Sequence, residues 1–233
     1  NPSFQGDSMA YELQFGDLGQ YAGMFASGAA TTLALTAVST VLGLGLGVAG
    51  AAGSDSRHAW VRNLVAGYVE AIRNTPFIVQ LFFVFFGLPA LGVHLDEYVA
   101  AILAMTLNLG AYSVEIVKAG IAAVPKGHHE AAASLAMTRG ETFRHVVLPQ
   151  ALAKVFPALT SQIVITMLGS AVVSQISVPD LTYAASYIQS RNFRAFETYF
   201  LITVAYLAMA IVLRAFLNAA GKRLFARNLR AAR

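Results

Sequence analysis

The sequence predicts an all-α, polytopic membrane protein with five transmembrane helices, its N-terminus outside and its C-terminus inside. Three observations carry that expectation: an apolar composition, five long apolar runs, and a one-sided distribution of basic residues. The chain has 233 residues, 57% apolar and 12% charged, with a mean hydropathy of +0.60. Soluble domains average about 45–50% apolar and about 25% charged. Disorder needs low hydrophobicity and high charge, so that class is excluded too. The sequence contains no cysteine, which removes disulfides, thiolate metal sites and cysteine nucleophiles.

A spanning helix needs about 20 mostly apolar residues. The first candidate covers about 22–52. Within it, Gly43 and Gly47 form a small-xxx-small pair that lets another helix approach closely. It lacks the basic n-region of a signal peptide and is too long for one. The second is centred on 77–91 and preceded by an amphipathic stretch, 60–72. The third covers 97–117, the fourth 151–178 with Pro157 near its start, and the fifth 196–216, running on to Lys222. Residues 11–21 read as a short helix on the outer surface. Residues 1–8, before Met9, read as an expression-tag remnant, leaving 9–233 as a single transmembrane domain.

The 16 Lys and Arg residues test this count. Fourteen fall in alternate segments: Arg57, Arg62 and Arg73, then Lys118, Lys126, Arg139, Arg144 and Lys154, then the six from Arg214 onward. Only Arg191 and Arg194 fall in the other set. The positive-inside rule then puts the C-terminus in the cytoplasm. The basic pI of about 9.5 is a topology signal, and no nucleic-acid partner is expected.

The inside segment 118–150 is long and patterned. Pro125 and Gly127 open it as a turn, and a helix fits 129–137 with Ala131, Ala132, Leu135 and Ala136 on one narrow apolar face. Thr138 with Glu141 three positions later is a capping box. It starts a second short helix through Val147, limited by Pro149. Spacing alone fits a knob that enters a groove on another protein, and equally an amphipathic hairpin lying on the membrane.

Glu130-Ala131-Ala132 followed at the family spacing by Leu148-Pro149 resembles the EAA loop of bacterial ABC importer permeases. The chain departs from that pattern at Ala136, where glycine is usual, and at Val146 in place of isoleucine. Val124-Pro125-Lys126-Gly127, Arg73-Asn74-Thr75-Pro76, Val79-Gln80-Leu81-Phe82-Phe83, Thr106-Leu107-Asn108 and Val178-Pro179-Asp180-Leu181 resemble the polar amino-acid uptake branch. The resemblance covers about 20–225 and implies a type I importer permease of the inner membrane. It also implies partners: two cytoplasmic ATP-binding subunits, a second permease subunit (identical or homologous), an extracytoplasmic solute-binding protein and an amino-acid substrate. The coupling surface would then comprise Glu130 as polar anchor with Ala131, Ala132, Leu135, Ala136 and Met137. ATP and magnesium would belong to the partner ATPase, with no cofactor on this chain.

Polar residues inside spans are costly and informative. Asn108, Tyr112 and Glu115 share one face of the third span; Gln162, Thr166, Ser170 and Ser174 share one face of the fourth, with Ser161 beside them. Two such stripes meeting at mid-depth would line a solute pathway. The alternative is structural, since Ser and Thr also bond their own backbone. Arg73 at the inner edge, Gln80 low in the second span, and Glu115 close to Lys118 are candidate gate residues. Basic-substrate permeases of the branch often carry Asn-Glu where this chain has Ser161-Gln162. The missing carboxylate implies a polar neutral or acidic substrate. His128 and His129 are adjacent and share no helix face, so no metal site is expected; no phosphate-binding loop or catalytic triad is present. The rivals are an ion-gradient-driven secondary transporter and a membrane assembly protein without transport.

Overall fold

The computed structural model describes residues 13–225, all helices and connectors. The expected remnant 1–8 and Tyr11 lie outside them. A 3-10 turn, Gly16–Tyr21, leads into α1, Ala22–Ser54. Then come α2 (Ala59–Arg73), α3 (Phe77–Leu91), α4 (Glu97–Ala122), α5 (Lys126–Ser134), α6 (Arg139–Ile176), α7 (Leu181–Asn192) and α8 (Ala195–Leu224). Among the described residues α1, α4, α6 and α8 are each long and apolar enough to cross a membrane. A fifth span is broken: α2 and α3 together qualify, but they meet at 111°.

α4 is the centre of the bundle. Half of its apolar window is buried, against 6% for α8, whose surface faces outward. Missing side chains on α1 allow it to lie against α4. A Cβ on Gly43 would reach 3.0 Å from the Leu109 side chain, and one on Gly47 would collide with Ser113. The small-xxx-small pair therefore does the packing expected of it. Leu81, Val84, Ala101, Ala104 and Met105 fill the α3–α4 seam, all nearly solvent-free.

Three expectations need correction. The loop helix begins at Lys126 and ends at Ser134, three residues earlier than predicted at each end. Pro125, with φ −60°, ψ 140°, fixes the entry, and Ala136 with φ 53° breaks the exit. The Thr138–Glu141 capping box is present, with both hydrogen bonds made. The helix it starts does not stop at Pro149, however. It runs through a π turn, Thr142–Val147, straight into the fourth span. The wider turn accommodates a residue with no N–H to donate, which is how helices absorb an internal proline. The loop is thus one free helix plus the protruding end of a span, rather than two separate short helices. Finally, α7 was not anticipated. Asp180 caps it, accepting from the Tyr183 amide at 2.8 Å, and it packs between α1 and α8 through Leu181, Ala185 and Ile202.

Candidate functional site at the broken span

The break between α2 and α3 is built from its sequence. Thr75 precedes Pro76, and a residue before proline avoids the helical region. Side chains then cap the end of α2: Asn74 Nδ2 donates to Glu70 O at 2.9 Å and Thr75 Oγ1 to Ala71 O at 2.8 Å. Gln80, one turn into α3 and 9% exposed, splints the corner. Its Nε2 reaches Ile72 O at 2.7 Å, Thr75 O at 3.0 Å and Thr75 Oγ1 at 2.9 Å. Its Oε1 accepts from Asn108 Nδ2 on α4 at 2.9 Å.

Those partners fix the depth of the corner. α4 has 26 residues, about 39 Å at 1.5 Å each, and its midpoint falls beside Leu109. Gln80 bonds Asn108, and Tyr68 Oη donates to Leu107 O at 2.6 Å. The break therefore lies level with the middle of α4. Arg73 is drawn in with it. Its guanidinium carbon stands 5.5 Å from the centre of the Tyr112 ring, and Nη1 is 3.8 Å from Glu115 Oε2. Lys118 Nζ donates to the other oxygen of Glu115 at 2.7 Å. The Arg73 guanidinium thus stands level with residues 112–115 of α4, about 4–8 Å along the helix from its midpoint by the helical rise.

Asn108, Tyr112, Glu115, Arg73 and Gln80, read as separate pathway and gate candidates, form one polar cluster. The α6 stripe behaves differently. Ser161 Oγ donates to Pro157 O, Thr166 Oγ1 to Gln162 O and Ser170 Oγ to Met167 O. These hydroxyls satisfy their own helix. Thr166 and Ser170 are buried, at 8% and 0% exposure, and no side-chain hydrogen bond links the stripe to α4 among the described residues. Gln162 is half-buried and its amide makes no side-chain hydrogen bond among the described residues. Sequence reasoning missed Thr75 and Tyr68 as parts of the cluster. Asn74-Thr75-Pro76, a break signal closing an amphipathic helix, was the available sign.

At the other polar feature, α5 stands at the Lys- and Arg-rich end with only Ala132 of its nine residues buried. Glu130 and Ala131 are exposed, and Leu135 is 75% exposed. Ala132, at 2%, instead faces the chain's own interior, and Met137 is half-buried. The expected four-residue apolar face is therefore split. The helix ends in a Schellman motif: the Met137 amide donates to Ala132 O at 3.1 Å and the Ala136 amide to Ala133 O at 2.9 Å.

Comparison with known proteins agrees with this architecture. Residues 39–226 match the family described as "Binding-protein-dependent transport system inner membrane component". The L-cystine transport system permease protein TcyB of Bacillus subtilis (strain 168) is 38% identical over 161 residues, 69% of each chain. The glutamine transport system permease protein GlnP of Escherichia coli (strain K12) is 35% identical over 168 residues, 71% of this chain and 77% of that one. A crystal structure of an amino acid ABC transporter with histidines superposes with a TM-score of 0.83 at 35% identity, covering 91% of this chain and 100% of that one. A subunit of the inward-facing MetNI methionine ABC transporter shares the fold, with a TM-score of 0.69 at 22% identity over 90% of this chain and 98% of that one. Fold, loop motif and family match coincide, and the chain belongs to the inner-membrane permease family of binding-protein-dependent ABC transport systems.

Proposed function

We propose that this chain is the permease subunit of an ATP-driven amino-acid importer, that its substrate is polar and neutral or acidic, and that α5 couples it to the ATPase. Permeases of this family are multi-pass inner-membrane transport subunits without catalytic chemistry of their own, and the ATPase is a separate chain. The finer composition we infer is two ATPase subunits carrying ATP and magnesium, a second permease (identical or homologous) and an extracytoplasmic binding protein. The N-terminus faces outward and the C-terminus the cytoplasm, which puts α5 on the side of the ATPase.

The observation that carries the reading is the connection between α5 and the centre of the bundle. The exposed helix leads through the Thr138 capping box into α6, whose helix continues from Arg139 to Ile176 without interruption. A push on α5 at one end would be delivered as movement of a whole span. Glu130, Ala131, Leu135 and Ala136 form the docking face, and Ala132 with Met137 anchors it to the bundle. The cluster of Arg73, Gln80, Asn108, Tyr112 and Glu115 would line the pathway or its inner gate. A discontinuous span at mid-depth is where transporters place such a site. Of the α6 stripe, the half-buried Ser161 and Gln162 would form its opposite wall, with Gln162 facing the solute, while the buried Thr166 and Ser170 would back that wall from within the helix packing.

One experiment tests both parts. The importer is purified in mild detergent and reconstituted, and uptake of labelled glutamine, glutamate and arginine is followed with and without ATP. ATP-dependent uptake favouring glutamine or glutamate is expected. Glu130→Arg should abolish co-purification of the ATPase while the permease remains in the membrane. Uptake that ignores ATP and collapses with an ion gradient, a preference for arginine, or normal assembly of the variant would contradict the reading.

A further inference from the structure

Arg73 and Glu115 differ from the two closer acidic–basic pairs among the described residues, Lys118–Glu115 at 2.7 Å and Arg194–Glu197. At the start of α8, Arg194 Nη1 and Glu197 Oε1 are 3.2 Å apart and Glu197 is fully buried; that contact is closed and structural. Between Arg73 and Glu115 the gap is 3.8 Å, and the two side chains remain 42% and 37% exposed. At that distance the ions attract without a hydrogen bond. Arg73 makes no side-chain hydrogen bond among the described residues. Its guanidinium lies over the Tyr112 ring, 5.5 Å from the centroid, and its donors are unspent. An arginine held beside a spanning helix, partly exposed and with its donors idle, is free to take an anionic ligand. A topology anchor would need neither the ring platform nor a carboxylate opposite it.

Resting on the importer reading above, we propose that Arg73 and Glu115 receive the main-chain charges of the transported amino acid. The fork of the guanidinium matches a carboxylate bidentately, so Arg73 takes the α-carboxylate. Glu115 Oε2 takes the α-ammonium, while Lys118 holds Oε1 and keeps the carboxylate in place. The substrate thus replaces one long ion pair by two charge-assisted contacts. Recognition here reads what all α-amino acids share, and leaves side-chain selection to other walls. Gln80 and Asn108, bonded to each other, fix the corner that presents Arg73.

The reconstituted complete importer tests this, with a panel of labelled L-amino acids identifying the transported probe. If the unmodified importer takes up none of them, the import reading fails and this inference with it. If it does, the variants decide. Arg73→Gln should lower uptake about fiftyfold, the loss of a charge-assisted hydrogen bond. Arg73→Lys should lower it about tenfold through loss of the fork, with the ATPase still bound in both. The charge swap Arg73→Glu with Glu115→Arg should not restore uptake. Uptake within twofold of normal in Arg73→Lys, or recovery above half in the swapped pair, would make the contact a simple latch and overturn the proposal. Should Arg73→Gln fail to assemble, the lysine variant and the swap still decide the matter.

Discussion

Ala136 shows how much one residue explains. It occupies the left-handed region, φ 53°, immediately after α5, at the position where a Schellman motif favours glycine. An L-side chain costs about 1–2 kcal/mol there. The glycine usual in the family at this position therefore has a backbone reason, and this chain carries a strained substitute. Ala136→Gly should stabilise the end of α5 by about 1 kcal/mol, offset in part by glycine's own entropy cost. Amide exchange across 126–134 should slow about fivefold, as local opening becomes less favourable; Ala136→Val should speed it. Equal exchange in all three proteins would show that the helix end is not strained. The sequence pattern identified Ala136 as a departure, but only the backbone angle reveals its cost.

At the scale of elements, the corner between α2 and α3 is the feature that organises the site. Gln80 satisfies carbonyls released by the break and receives Asn108 from α4. Gln80→Leu keeps the bulk and removes every one of those bonds. Buried groups left unpaired cost about 1–3 kcal/mol each, so the variant should lose roughly 2 kcal/mol and melt several degrees lower in detergent. An unchanged melting temperature would mean that the corner holds without its splint. Which elements were legible follows from the strength of their signal. α1, α4 and α8 are long apolar runs, and their ends were predicted within a few residues. The capping box at Thr138 and Glu141 was read from spacing alone. α7 buries a short stripe at helical spacing, Leu181, Ala184, Ala185 and Ile188, but half of that stripe is alanine, and Ser186, Gln189, Ser190 and Arg191 around it read as a polar connector. Pro149 reads locally as a stop, but the π turn before it lets the helix continue. The meeting of Arg73 with Tyr112 and Glu115 was illegible because a proline break signals a turn without its angle, here 111°.

For the whole molecule, charge and architecture give one account. Up-and-down alternation of α1, α4, α6 and α8, with the broken span between α1 and α4, gathers the basic segments at one end. α5 projects from that same end. Apolar α8 stays open along most of its length, as a span facing lipid or a second permease must. The polar stripe of α4 was legible as a stripe, but its partner was not: it meets the α2–α3 corner, while the hydroxyls of α6 turn back on their own helix. The central claim is that α5 is the cytoplasmic seat of the ATPase, and the absence of native cysteine allows one direct test. With Leu135→Cys as the sole thiol, a membrane-impermeant maleimide is applied to oriented membrane vesicles with and without the bound ATPase. The account predicts labelling only from the cytoplasmic face, and protection when the ATPase is present. Labelling from the outer face, or equal labelling with the ATPase bound and removed, would contradict it.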